Sequence, residues 1–151
     1  MKRALRLIAA ASVFGLASSS PLAHSDEVLD TQKAPNGGQL RMAGVYHFEL
    51  VVAKDSKETK EGPVVVYVTD HAGAKIPTVG AGGTATILAG KQKASVKLVP
   101  DGDNRLKGMA TYSSTPDMKV VVSITLPGKS AEQARFTPLA TGAASHAEHK
   151  H

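Results

Sequence analysis

The chain has 151 residues, a formal net charge of +5 and no cysteine. The lack of cysteine excludes disulfides, a cysteine nucleophile and thiolate metal sites, so a domain of this size must be stabilised by its hydrophobic core. Three of the positive charges lie at Lys2, Arg3 and Arg6, and most other lysines are scattered among acidic and polar residues. This pattern is typical of a solvated surface and disfavours nucleic acid as a partner.

Residues 1–25 predict a secretory signal peptide, in which a positive segment precedes an apolar run too short to span a bilayer. Small residues at Ala23 and Ser25 fit cleavage before Asp26. We therefore expect an exported, periplasmic protein with no membrane span in its mature chain. Cleavage after Ala23 is an alternative. It would leave His24 at the N-terminus, where the amine and the imidazole could chelate Cu(II).

Three segments are expected after the signal peptide: an irregular N-terminal arm over 26–38, a β-sandwich domain over 39–138 and a flexible histidine-containing tail over 139–151. Apolar or β-branched runs separated by turn residues predict about seven strands. They lie at 45–52, 64–69, 84–89, 94–99, 106–112, 118–126 and 134–137. Short strands at this spacing predict an all-β fold, an antiparallel sandwich of immunoglobulin-like type.

The strand at 45–52 carries two residues of interest on the folded domain. Every second residue from Tyr46 to Val52 is apolar and should face the core, because side chains alternate along a strand. His47 and Glu49 should then point outward together, into solvent. An outer sheet face normally carries such polar residues, so a purely solvent-facing pair is the alternative interpretation.

A metal ion held by His47 and Glu49 would need a further ligand from a neighbouring strand or turn. His71 lies in a predicted turn beside Asp70, and it is the candidate that the sequence offers. Side chains two apart on a strand share a face and lie roughly 6.5–7 Å apart, which leaves room for such an arrangement.

The tail holds His146, His149 and His151 within six residues. Neutral imidazole is a common ligand for borderline divalent metals, and closely spaced histidines on a mobile chain can wrap one ion. The alternative is a solubilising tail without a specific ligand. The sequence contains no nucleophile elbow, zinc-protease motif or phosphate-binding loop, so we expect no enzymatic activity.

The order of these motifs resembles a small β-rich periplasmic module. That module occurs as a free-standing exported protein and near the N-terminus of some heavy-metal efflux adaptor subunits of the RND type. The matching segments are NGGQL at 36–40, GVYHFELVV at 44–52 and VYVTD at 66–70. The module typically has a Pro-His-Gly-Gly turn, an aromatic–His/Thr–hydrophobic–Glu strand, and a strand that ends in Asp.

The resemblance implies a periplasmic accessory to the handling of copper, nickel, cobalt or zinc, with an efflux adaptor subunit as partner. By position, His47 and Glu49 match the strand motif and Asp70 matches the end of the next strand. Asn36 stands where the module often has His, and an amide oxygen suits these metals poorly. The alternative function is a structural or interaction domain of the cell envelope, in which the histidines are incidental.

Overall fold

A computed structural model describes residues 25–54 and 57–140 of the chain. These residues form a short helix, α1 (Asp26–Asp30), and eight strands. The strands are β1 (Gln39–Ala43), β2 (Tyr46–Val52), β3 (Lys60–Asp70), β4 (Gly82–Ala89), β5 (Gln92–Pro100), β6 (Arg105–Tyr112), β7 (Lys119–Thr125) and β8 (Glu132–Phe136). None of the helical structure in these ranges is long and apolar enough to cross a membrane.

The strands form one antiparallel sheet in the order β1-β2-β3-β6-β5-β4-β7-β8. The first and last strands of this order contact each other, so the sheet curves nearly into a barrel. The prediction of an all-β antiparallel domain is confirmed, with eight strands rather than about seven. Each predicted strand overlaps an observed one. Helix α1 lies in the arm that was expected to be irregular, and β1 lies in a segment to which the sequence analysis assigned no strand.

The core lies inside the curved sheet and follows the alternation of the strands. Phe48, Leu50 and Val52 of β2 are buried there, as the sequence predicts, and Tyr46 packs partly buried at the edge. Three valines of β3, at 64, 66 and 68, are fully buried beside them. The residues between these positions must therefore lie on the outer face of the sheet.

The pairing of β2 with β3 brings the candidate residues together on that outer face. Glu49 lies opposite Tyr67, and His47 lies opposite Thr69. All four side chains alternate with core residues, so they form one continuous patch on the outside of the two strands.

The N-terminal arm packs against the sheet beside this patch. Leu29 of α1 is only 1 % exposed. Arg41 of β1 is itself buried, and its guanidinium lies 2.8 Å from Asp30 and 3.6 Å from Asp26. The apolar contact and the ion pairs together fasten the arm, which is partly helical rather than irregular.

Candidate binding site beneath the N-terminal arm

The carboxylate of Glu49 fastens the turn of the arm to the centre of β2. It is 3 % exposed and accepts hydrogen bonds from the backbone N–H of Asn36 at 2.9 and 3.2 Å and from the Asn36 side-chain amide at 3.1 Å. The backbone N–H of Gly38 donates a further bond at 3.2 Å. Bonds to an ionised carboxylate are stronger than neutral ones, so this contact determines where the arm crosses the sheet.

The two glycines after Asn36 are required by the geometry of this crossing. Gly37 has a φ of +72°, a conformation that side chains with a Cβ rarely adopt. A Cβ at Gly38 would collide with the backbone carbonyl of Leu50. The Asn-Gly-Gly segment is therefore shaped to lie flat on β2.

His47 is covered as well, and it meets the turn that follows β3. The His47 imidazole is 6 % exposed, and its ring stacks on that of His71 with centroids 4.9 Å apart and planes inclined by 18°. His71 itself is exposed. The structure thus brings together the two histidines that the sequence singled out on the folded domain.

The prediction that His47 and Glu49 point into solvent is wrong. Both side chains face away from the core, as the alternation requires, but Glu49 is buried under the N-terminal arm and His47 is buried with its ring stacked on His71. Alternation along a strand determines which face a residue occupies. It carries no information about what another part of the chain lays over that face.

Asp70 shapes the turn that carries His71. Its carboxylate accepts the backbone N–H groups of Ala72 and Ala74, each at 2.9 Å. Within residues 25–54 and 57–140, no group of three or more His, Asp and Glu side chains is arranged to hold a metal ion. The predicted tail ligands His146, His149 and His151 lie outside these ranges.

A cavity of about 310 Å³ opens between the arm and the outer face of β2 and β3. Arm residues form one wall, the outer-face residues form the floor, and the loop after β3 and the β5–β6 turn form the rest. Its lining comprises Gln32, Lys33, Pro35, Asn36, Leu40, His47, Glu49, Tyr67, Thr69, Gly73, Lys75 and Asn104.

Sequence reasoning missed several residues of this cavity. Tyr67 could have been found, because it alternates with core valines and so must lie on the outer face with His47. Lys33, Lys75 and Asn104 give no local signal, since they come from the arm, a loop and a turn. Only the packing of these segments brings them to one cavity.

One wall of the cavity is held by well-defined bonds. The buried Asn104 donates its side-chain amide to the carbonyl of Val68 at 3.1 Å and accepts the Val68 N–H at its own backbone carbonyl. These bonds fix Asn104 in place before any ligand arrives. On the floor, the Tyr67 side chain and, after it, the charge of Asp101 raise the pKa of the Arg105 guanidinium.

A scan against protein-family models and searches of curated proteins and of solved structures found no match to this chain. The chemistry of the site is therefore inferred from its own residues and their geometry.

Proposed function

We propose that this protein is an exported, periplasmic accessory protein that binds transition-metal ions and serves heavy-metal efflux. The role is one of binding, in buffering or delivery, rather than catalysis. The observation that carries the proposal is the proximity of His47 and His71, whose ring centroids lie 4.9 Å apart. Imidazole is suited to zinc, copper and nickel.

The separation of the two ring centres agrees with shared coordination of one ion, but their orientation does not yet suit it. Metal–nitrogen bonds are about 2.0–2.1 Å long, so two imidazoles at tetrahedral positions around one ion have ring centres about 5 Å apart. The ring planes are stacked and inclined by only 18°, so the His71 ring must turn for a nitrogen of each ring to face the same ion. His47 is held on a strand whose other face is locked into the core, so little freedom is lost there on binding. His71 can adjust, because it lies in an exposed turn.

Two imidazoles make an incomplete site, which favours reversible rather than structural binding. Closed zinc sites use four protein ligands, whereas sites with fewer leave positions for water or a partner's ligand. In this proposal Glu49 mainly holds the arm and Asp70 mainly holds the turn, through their hydrogen bonds to backbone N–H groups. The tail histidines at 146, 149 and 151 form a second metal-binding segment. An efflux adaptor subunit is the proposed recipient of the metal.

Metal titration of the full-length exported chain tests this function. A tail variant with His146→Ala, His149→Ala and His151→Ala should retain one site for Ni²⁺ or Zn²⁺ by calorimetry. Adding His71→Ala to the tail variant should weaken that site at least about tenfold, which corresponds to about 1.4 kcal/mol. Lys129→Ala, at an exposed turn position that does not line the cavity, is the matched control and should change nothing.

Two results would contradict the proposal. If the tail variant binds no ion, the folded domain has no site. If His71→Ala leaves affinity unchanged, the histidine pair is not the site, and an interaction domain of the envelope becomes the better hypothesis.

The intact mass of the protein recovered from periplasm tests export and the cleavage position before Asp26.

We further propose that the curved sheet belongs to the immunoglobulin-like β-sandwiches in the broad sense of two antiparallel layers. The junction between β5 and β6 supports a division there, because only Val99 with Lys107 and Pro100 with Leu106 pair across it. The layers would be β1-β2-β3-β6 and β5-β4-β7-β8. An experimental structure with continuous pairing of β5 and β6 would contradict this classification.

A further inference from the structure

The cavity beneath the arm has the size of a small-molecule site. Its volume of about 310 Å³ is roughly twice the 150 Å³ of an engineered cavity that holds benzene, and it lies at the lower end of the range for ligand pockets. A single metal ion would leave most of this space unfilled. The cavity therefore has room for an organic molecule of roughly ten heavy atoms.

The charges around the cavity favour an anion. Lys33 on the arm and Lys75 on the loop after β3 both line it, and neither forms an ion pair with a described residue. The carboxylate of Glu49 also reaches the cavity, but it is already engaged by three N–H groups of Asn36 and Gly38. The two lysines and the one carboxylate give the lining one net positive charge.

The rest of the lining suits the carbon chain of an organic anion, which an inorganic anion does not have. Pro35, Leu40 and the ring of Tyr67 offer apolar surface. Thr69 and Tyr67 add polar side chains to the floor. A few polar groups among apolar ones is the usual composition of a small-molecule pocket.

We propose that this cavity binds a small organic carboxylate, with its carboxylate oxygens at Lys33 and Lys75 and its carbon chain against Pro35, Leu40 and Tyr67. The two lysines come from separate segments that both line the cavity, so the ligand that we propose is a short dicarboxylate with one carboxylate for each lysine. Ammonium–carboxylate bonds are charge-assisted and strengthen where the ligand is partly withdrawn from water. The arm forms one wall, so ligand binding should also hold the arm against the sheet.

Calorimetric titration of the metal-free, full-length exported chain with glutarate tests this site. We expect saturable binding to one site, weaker at 150 mM salt than at 20 mM, because screening grows with ionic strength. The neutral diamide glutaramide should bind at least about tenfold more weakly. The double variant Lys33→Gln/Lys75→Gln should lose at least about tenfold in affinity for glutarate, equivalent to about 1.4 kcal/mol.

Lys93→Gln/Lys97→Gln is the matched control. It removes the same charge from two exposed positions of β5 outside the cavity and should change affinity less than about twofold. Circular dichroism of each variant checks that it is folded. Because all substituted lysines are exposed, folding should be preserved.

Four outcomes would overturn the proposal: no saturable binding of glutarate, equal weakening by the control double variant, binding of glutaramide as tight as glutarate, or binding of inorganic phosphate as tight as glutarate. If phosphate binds as tightly as glutarate, the cavity binds anions but does not recognise the carbon chain of the ligand. Because the titration uses metal-free protein, its result is independent of metal binding at His47 and His71.

Discussion

Asn36 donates both its backbone N–H and its side-chain amide to the carboxylate of Glu49, at distances between 2.9 and 3.2 Å. Asn36 stands where the resembled module often has histidine. Its side chain faces the buried carboxylate of Glu49. It acts as a clamp between the arm and β2. Together with the N–H of Gly38, Asn36 engages the Glu49 carboxylate on a residue that is only 3 % exposed.

Removing the carboxylate should release this clamp. Glu49→Ala leaves the N–H groups of Asn36 and Gly38 without their acceptor, and we expect the free energy of unfolding to fall by at least about 2 kcal/mol. Glu61→Ala, at an exposed position of β3, is the matched control and should stay within about 0.5 kcal/mol of the wild type. Urea unfolding measures both. Equal losses in the two variants would show that the clamp contributes nothing specific.

The docking of α1 should depend on Leu29. Leu29→Ala removes a side chain that is 1 % exposed, whereas Val28→Ala changes a neighbour that is 45 % exposed. We expect amide hydrogen exchange at Asn36 and Gly38 to accelerate at least about tenfold in the first variant only, since undocking of the arm exposes these groups. Core amides of β3 should keep their protection. Acceleration throughout the sheet would mean that the arm and the sheet unfold together.

Placing a histidine at position 36 should strengthen the proposed metal site. In the tail variant, Asn36→His places a third imidazole at the cavity that His47 lines. We expect Zn²⁺ or Ni²⁺ affinity to rise at least about tenfold, because these ions favour imidazole over amide oxygen. Asn36→Gln keeps an amide and is the control. A gain in neither variant, or the same gain in both, would contradict the proposed location.

Tyr112 should make stability fall at high pH. Burial raises the pKa of its phenol, an effect opposed by the N–H that Ala53 donates. The folded state therefore holds this proton to higher pH than the unfolded state, so the contribution is fully present below about pH 10 and is lost as pH rises through the folded-state pKa. The hydroxyl also donates to the Pro63 carbonyl at 2.6 Å.

Urea unfolding at pH 8 and pH 11 measures this effect. Tyr112→Phe should be less stable than wild type at pH 8 by about 1 kcal/mol, from the lost hydrogen bonds. The difference should shrink at pH 11, because only the wild type has the phenol to lose its proton. An unchanged difference would show that the phenol does not titrate differently in the two states.

Local patterns determined most of the strands, and the exceptions have physical reasons. The alternation of β2 assigned Phe48, Leu50 and Val52 to the core, and the expected strands at 84–89 and 94–99 are present as β4 and β5. Strand β1 was missed because its buried positions include Arg41, which breaks the apolar alternation. Helix α1 has five residues, too few to show a helical period.

The sequence by itself determined that His47 and Glu49 lie opposite the core, because alternation is a property of the strand alone. Only the tertiary structure decided that both are buried, since the arm is bonded to Glu49 through Asn36 and the ring of His71 stacks on His47. It also decided that Lys33 and Lys75 border one cavity. Lys33 and Lys75 are far apart along the chain and meet only because whole segments pack together. A local pattern of hydrophobicity does not determine which segments will pack against each other.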